Sequence, residues 1–268
     1  MVGPSQGFVI RLRVLPARYP VVGTGISATS YEEVVGLLSR PDPDKATVIA
    51  VCNVHSVMES RRQEALRRAL DEADLATPDG MPLVWALRRM FNPVQKRVYG
   101  PEIMRRALST GLGLRHYLYG GSEEALRLLE KELAESYKSA AVVGSKSPPF
   151  RNLTEEELAD HVADIRASGA NVVWVGLGMP KQELWMHRMT RKLPGMTLVG
   201  VGAAFDFLSG TVPQAPIWMQ RAGVEWLFRL IQEPRRLWRR YLMNNPAFLL
   251  LLGRQITSMG WRRVVGRG

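Results

Sequence analysis

The sequence predicts an α/β fold: a Rossmann-like, mostly parallel sheet flanked by helices, followed by a basic helical C-terminal appendage. Three observations carry this reading. Short apolar runs without polar alternation recur along residues 1–210, the pattern of strands covered on both faces. Amphipathic helical segments with recognisable starts lie between them. Past residue 211 the composition shifts to arginine and tryptophan. The chain has 268 residues, 46% hydrophobic and 23% charged. That suits one large domain with an appendage and excludes wholesale disorder.

The elements follow in order. Thr47–Asn53 reads as the first buried strand. A short strand over Ala73–Ala76 leads into the turn Thr77-Pro-Asp-Gly80, with a helix from about Met81. His116–Gly120, Ala140–Gly144, Asn171–Gly176 and Met196–Gly202 are four more continuous apolar runs. Ser122-Glu-Glu-Ala125 opens a helix to about Tyr137. Thr154-Glu-Glu-Glu157 is a capping-box pattern ahead of Leu158, Val162 and Ile165. Pro180 opens a helix through Lys192, since proline is tolerated at a first helical position. Strand–helix alternation places ligands beyond the carboxyl ends of the strands.

The boundary falls in the turn-rich Thr211–Pro216, dividing a core (1–210) from an appendage (211–268). Charge follows the same division. The net is +11, and residues 221–268 hold ten arginines against Glu225 and Glu233. A basic segment suits an anionic partner: a phosphate-bearing ligand, a lipid surface or nucleic acid. No aromatic-interleaved basic motif of the base-stacking kind is present, so nucleic acid is not the expected partner. Arginine and tryptophan together fit a membrane-interface helix or a helical lid equally well. The longest apolar stretch, Ala247–Gly253, is too short to span a bilayer. Residues 1–20, with Arg11, Arg13 and Arg18, do not read as a secretory signal. The single cysteine, Cys52, fits a reducing cytoplasm.

Five groups of residues can carry chemistry. Asp79 sits on a tight turn at a strand's carboxyl end, either as a plain turn residue or as a general base. Gly176-Leu-Gly178, followed by Lys181 and Gln182, lets the backbone approach a ligand at a helix start. It is not a full dinucleotide fingerprint, so no nicotinamide cofactor is implied. Gly120 begins a weaker glycine turn. Asn53 and His55 end the first strand, where Asn53 either satisfies backbone groups or faces a ligand. Arg229, Arg236 and Arg239 group on one helical face by spacing, although Pro234 makes any helix kink or restart. They form a solvated stripe or a diphosphate clamp. Asp42-Pro-Asp44 precedes its strand and reads as a solvated loop. The histidines show no paired metal-ligand spacing, and no metal site is expected.

Thr77-Pro-Asp-Gly-Met-Pro-Leu-Val-Trp85, Val98-Tyr-Gly-Pro-Glu-Ile-Met104, Val175-Gly-Leu-Gly-Met-Pro-Lys-Gln-Glu183, Gly202–Gly210 and Ala215–Arg229 together resemble the WecG/TagA/CpsF family of glycosyltransferases. The resemblance runs from about residue 20 to 245. It implies inverting, metal-independent transfer of a sugar such as N-acetylmannosamine or glucose. The implied donor is a UDP-sugar and the acceptor a polyprenyl-diphosphate-linked saccharide, in cell-surface polysaccharide or exopolysaccharide biosynthesis. No cofactor is implied. By the same resemblance Asp79 is the general base, Asn53 and Gln182 hold substrates, and Arg229, Arg236 and Arg239 belong to a C-terminal cover. Gly80, Gly100, Gly120, Gly176, Gly178 and Lys181 lie in the matching motifs and are expected to line the substrate site. Val51 departs from members with threonine at that position, which removes a hydroxyl contact. The expected setting is cytoplasmic and peripheral, on the inner face of a bacterial membrane, with homo-oligomerisation open. The alternative is a soluble sugar-nucleotide-modifying enzyme without a lipid acceptor.

Overall fold

The computed structural model describes residues 14–265, with side chains described to residue 259. Arg11, Arg13 and, of the ten C-terminal arginines, Arg267 and the side chains of Arg262 and Arg263 lie outside the described residues. The chain opens with a hairpin, β1 (Arg18–Val21) and β2 (Thr24–Ser27), antiparallel with Val21 opposite Thr24. Then come α1 (Tyr31–Leu38), β3 (Thr47–Cys52), α2 (Val54–Ser60), α3 (Glu64–Glu72), β4 (Leu75–Pro78), α4 (Met81–Met90) and α5 (Gly100–Leu108). β5 (Arg115–Gly120), α6 (Glu123–Ser136), β6 (Ala141–Lys146), α7 (Glu155–Ala167), β7 (Val172–Gly176), α8 (Lys181–Met189) and β8 (Thr197–Gly200) complete the alternation. The C-terminal part is α9 (Ala204–Leu208), α10 (Ile217–Arg221), α11 (Glu225–Gln232) and α12 (Pro234–Val265).

Six strands form one parallel sheet in the order β4-β3-β8-β7-β5-β6. The core runs along both of its faces. Along β3, Val48, Ala50 and Cys52 pack with α2, α3, α4, α7 and α8 on one side. Ile49 and Val51 pack with α1, α5, α6 and α9 on the other. This period-two split within one apolar run is why the strand shows no polar alternation.

The mostly parallel sheet flanked by helices is thus the fold the sequence predicts. Two details differ. β6 is not covered on both faces: it is the edge strand, and none of its residues is buried. Its small and polar residues, Gly144, Ser145 and Lys146, suit that position. The strand expected at Ala73–Ala76 is displaced to Leu75–Pro78, so Asp79 follows it directly.

α12 starts at Pro234, where the sequence predicts a restart, and continues through Pro246. Its residues Leu237, Asn244 and Phe248 are buried. Phe248 belongs to the same apolar cluster as Val48 and Leu198. Gln255 donates from Nε2 to the Pro20 carbonyl (2.7 Å) and accepts from the Val22 N–H (2.8 Å), pinning the hairpin turn. Val22 there has φ of 52°, costly for a β-branched residue and held by these partners. No helix among the described residues is long and apolar enough to cross a membrane.

Candidate active site

Parallel strands deliver their carboxyl ends to one edge, and a cleft of about 1210 Å³ opens there. Asn53 after β3, Asp79 after β4, Gly121 after β5, Gly176 at the end of β7 and Gly202 after β8 all line it. Glu225 and Arg229 of α11, with Arg236 and Arg240 of α12, form the opposite wall.

The Asp79 turn is fixed from two sides. Its N–H donates to the Cys52 carbonyl at 2.8 Å. The Val98 N–H donates to the Pro78 carbonyl at 3.0 Å, which brings Arg97 alongside. Arg97 Nη2 and Nε reach Asp79 Oδ1 at 2.9 and 3.2 Å, and Nε also donates to the Asp79 carbonyl. The guanidinium lies over the Tyr99 ring, 4.0 Å from its centroid. Arg97 Nη1 sits 2.9 Å from Glu225 Oε2. That contact is coulombic, since Glu225 Oε2 receives no aligned hydrogen bond among the described residues. Burial raises the Asp79 pKa, Arg97 opposes it and Glu225 adds to it.

Asn53 satisfies backbone groups, the first of its two sequence readings, and also lines the cleft. Its Oδ1 caps α2, accepting from His55 N–H (2.9 Å) and Ser56 N–H (3.2 Å). Its Nδ2 has no protein partner among the described residues and is left for the cleft. His55 also lines the cleft, and its Nδ1 accepts from Asn244 Nδ2 at 2.9 Å. Burial, with help from Arg240, lowers its pKa to about 4, so the ring is neutral near pH 7.

Gln182 is buried on the first turn of α8. Its Oε1 accepts from the Gly202 N–H (3.1 Å), and its Nε2 donates to Glu183 Oε1 (2.9 Å). Glu183 is 2% exposed, and burial raises its pKa to about 7. Its Oε2 has no hydrogen-bond partner among the described residues. Lys181 lines the cleft and donates to the Phe150 carbonyl (3.2 Å), tying down the loop after β6.

The glycines divide. Gly178, with φ of 74°, lines the cleft with open space around its missing side chain. Gly176 lines it too, but a Cβ there would meet the Phe205 ring at 2.7 Å, so packing also demands glycine. Gly80, Gly100 and Gly120, expected to line the site, are not among the lining residues. A Cβ on Gly120 would meet the Gly176 backbone at 2.5 Å, so this glycine allows β5 and β7 to end side by side.

The arginines also divide, and not as their spacing predicts. Arg229 and Arg236 line the cleft, whereas Arg239 is exposed with its guanidinium 5.2 Å from the Trp238 ring. Arg240 takes the inward position instead. The cause is the phase of α12 itself: its inward face is centred on Leu237, Arg240 and Asn244, so Arg236 falls at the edge of that face and Arg239, three residues on, falls past it. In α12 the inward stripe runs Leu237, Arg240, Asn244, Phe248, at helical spacing. Arg229 Nε and Arg240 Nε are buried without a hydrogen-bond partner among the described residues. Burial lowers the Arg240 pKa, and repulsion from Arg229 and Arg236 adds to this.

Glu225 and Arg240 are thus cleft residues that the sequence motifs do not single out, and Arg97, which is not among the lining residues, joins the site as the partner of Asp79 and Glu225. Arg97 carried one available signal: it immediately precedes the Val98-Tyr-Gly-Pro motif. Asp42 and Asp44 lie at the opposite edge of the sheet, ahead of β3, where Asp44 N–H donates to Asp42 Oδ1 (3.0 Å). Among the described residues no group of three or more His, Cys, Asp or Glu is placed to hold a metal.

A cleft at the carboxyl edge of a parallel sheet, walled by arginines of which Arg229 and Arg240 have buried Nε atoms while Arg236 is exposed and paired with Glu233, defines an α/β protein suited to a phosphate-bearing ligand. The model of the glycosyl transferase WecG/TagA/CpsF family matches residues 19–261. The chain belongs to that family. Membership makes it a glycosyltransferase of cell-surface polysaccharide biosynthesis, with a nucleotide-sugar donor and a sugar-linked acceptor.

Proposed function

We propose that this chain is an inverting glycosyltransferase that moves a hexose or N-acetylhexosamine from a UDP-sugar to a polyprenyl-diphosphate-linked saccharide at a membrane surface. Asp79 takes the proton from the acceptor hydroxyl. The hydroxyl oxygen bonds to the anomeric carbon from the face opposite the leaving group. The bond from that carbon to the diphosphate oxygen breaks, and UDP leaves with the electron pair. Arg229, Arg236 and Arg240 neutralise the departing diphosphate, the task a metal ion performs elsewhere. Asn53 Nδ2 and the Gln182 amide hold sugar hydroxyls.

The observation that carries this reading is the pair of buried, unpartnered Nε donors of Arg229 and Arg240 in the cleft that holds Asp79. An unmet buried donor costs about 1–3 kcal/mol. Two of them, in a cluster of like charge, favour a polyanion between them.

The test is a donor screen. Purified protein is offered UDP- and GDP-sugars with a short-chain lipid-diphosphate saccharide, with and without EDTA. The expected result is EDTA-resistant transfer from one UDP-sugar, with inversion at the anomeric centre. Asp79→Asn is expected to lose at least 100-fold in kcat while keeping UDP affinity. Wild-type turnover in that variant removes the base assignment. Turnover of nucleotide sugar without any lipid acceptor would favour the soluble sugar-nucleotide enzyme instead.

A further inference from the structure

A carboxylate held by a guanidinium is a weak base, because the cation stabilises its charged form. Asp79 is held this way by Arg97 through two contacts to one oxygen. On its remaining side Arg97 meets a second carboxylate, Glu225, which belongs to the appendage and not to the core. One cation therefore lies between two anions contributed by different parts of the chain. Stacking on Tyr99 fixes the plane in which it is shared.

We propose that Glu225 is a positioning residue that restores basicity to Asp79. By drawing on Arg97 from the appendage side, it makes the carboxylate a competent base only when α11 is docked over the cleft. This rests on the reading of Asp79 as the general base.

The charges around the pair define when the effect operates. Asp79 also faces Arg229, which opposes Glu225, and acts on Arg240 and on the phenols of Tyr31 and Tyr99. Glu225 acts in addition on Tyr241. α11 thus delivers one anion and one cation to the same carboxylate. A diphosphate engaging Arg229 neutralises the cation and leaves Glu225 unopposed. Asp79 is therefore most basic with the appendage docked and the donor bound, the state in which transfer takes place.

The test uses full-length protein with carbon-13-labelled aspartate. The Asp79 carboxyl resonance is assigned by its loss in Asp79→Asn, and its titration is followed with and without saturating UDP. In Glu225→Gln the midpoint is expected to fall on the order of one pH unit, with the larger drop when UDP is present. Glu225→Asp keeps the charge and is expected to retain part of the wild-type midpoint. The kcat of Glu225→Gln is expected to drop on its pH plateau, with its acidic limb moved to lower pH and donor KM little changed. An unmoved Asp79 midpoint in both variants, with Asp79→Asn inactive, overturns the role of Glu225 alone. If Asp79→Asn transfers sugar normally, the base assignment itself has failed, and the titration tells the two failures apart.

Discussion

Burial raises the Glu183 pKa from 4.5 to about 7, which brings this carboxyl's titration into the neutral range. The sign of its effect on stability follows. Between pH 4.5 and 7 the unfolded chain has released this proton while the folded chain keeps it, so stability falls as pH rises through that window. Above pH 7 the full penalty is present, on the order of 3 kcal/mol. Glu183→Gln removes the ionisation and still accepts from Gln182 Nε2. It is expected to raise the urea midpoint clearly at pH 8 and little at pH 5. An equal gain at both values would mean that packing, not charge, sets the effect. A place in the cleft was legible in the sequence where one residue sits at a strand end, as with Asp79 and Asn53, or on the first turn of the helix that follows, as with Gln182. It was not legible where a partner arrives from a remote segment. Nothing local to Arg97 or Glu225 announces that they meet.

At the scale of elements, α12 is one helix with two faces. Leu237, Arg240, Asn244 and Phe248 turn inward, while Arg235, Arg239, Leu242, Met243, Leu249 and Leu250 are exposed. Phe248 is 1% exposed within the body's own apolar cluster, so the appendage shares the core. Phe248→Ala is expected to cost about 3 kcal/mol. The readouts are a lower denaturation midpoint and faster proteolytic cutting within α12, and an unchanged midpoint would show that the helix docks without this anchor. The inner strands were readable because burial on both faces leaves nothing polar in them. The β1–β2 hairpin was not, since Pro20, Gly23 and Gly25 break up any strand-like run and its turn uses a valine at positive φ. α1, α3 and α5 are amphipathic but only eight or nine residues long, too short for a helical period to stand out beside the clear strands.

At the scale of the whole molecule, the outward face of the appendage combines charge with exposed apolar bulk. Along α12, Trp238, Leu242, Met243, Leu249 and Leu250 are exposed, with Arg235, Arg239 and Arg254 among them, and Trp218, Arg221 and Ile231 are exposed on α10 and α11. Tryptophan and arginine exposed along one helix suit the headgroup layer of an anionic membrane, which is where the proposed polyprenyl acceptor would be anchored. Each arginine near such a surface contributes about 1 kcal/mol. The double variant Arg235→Gln/Arg239→Gln is therefore expected to weaken binding to phosphatidylglycerol-containing vesicles by roughly 30-fold at low salt. Wild-type binding should itself weaken as salt rises, because exposed charges are screened. UDP affinity, measured without vesicles, separates the two roles open to Arg239. If it faces lipid, as its position beside Trp238 indicates, the variant binds UDP like the wild type. A loss of UDP affinity with vesicle binding intact would instead return Arg239 to the diphosphate clamp. It would also require α12 to rotate from the register in which Arg240 points inward. The cleft-lining Arg240 and the exposed Arg239 lie on opposite sides of one helix, so on the proposed reading a membrane can engage the outer side while the inner arginines stay free for the donor.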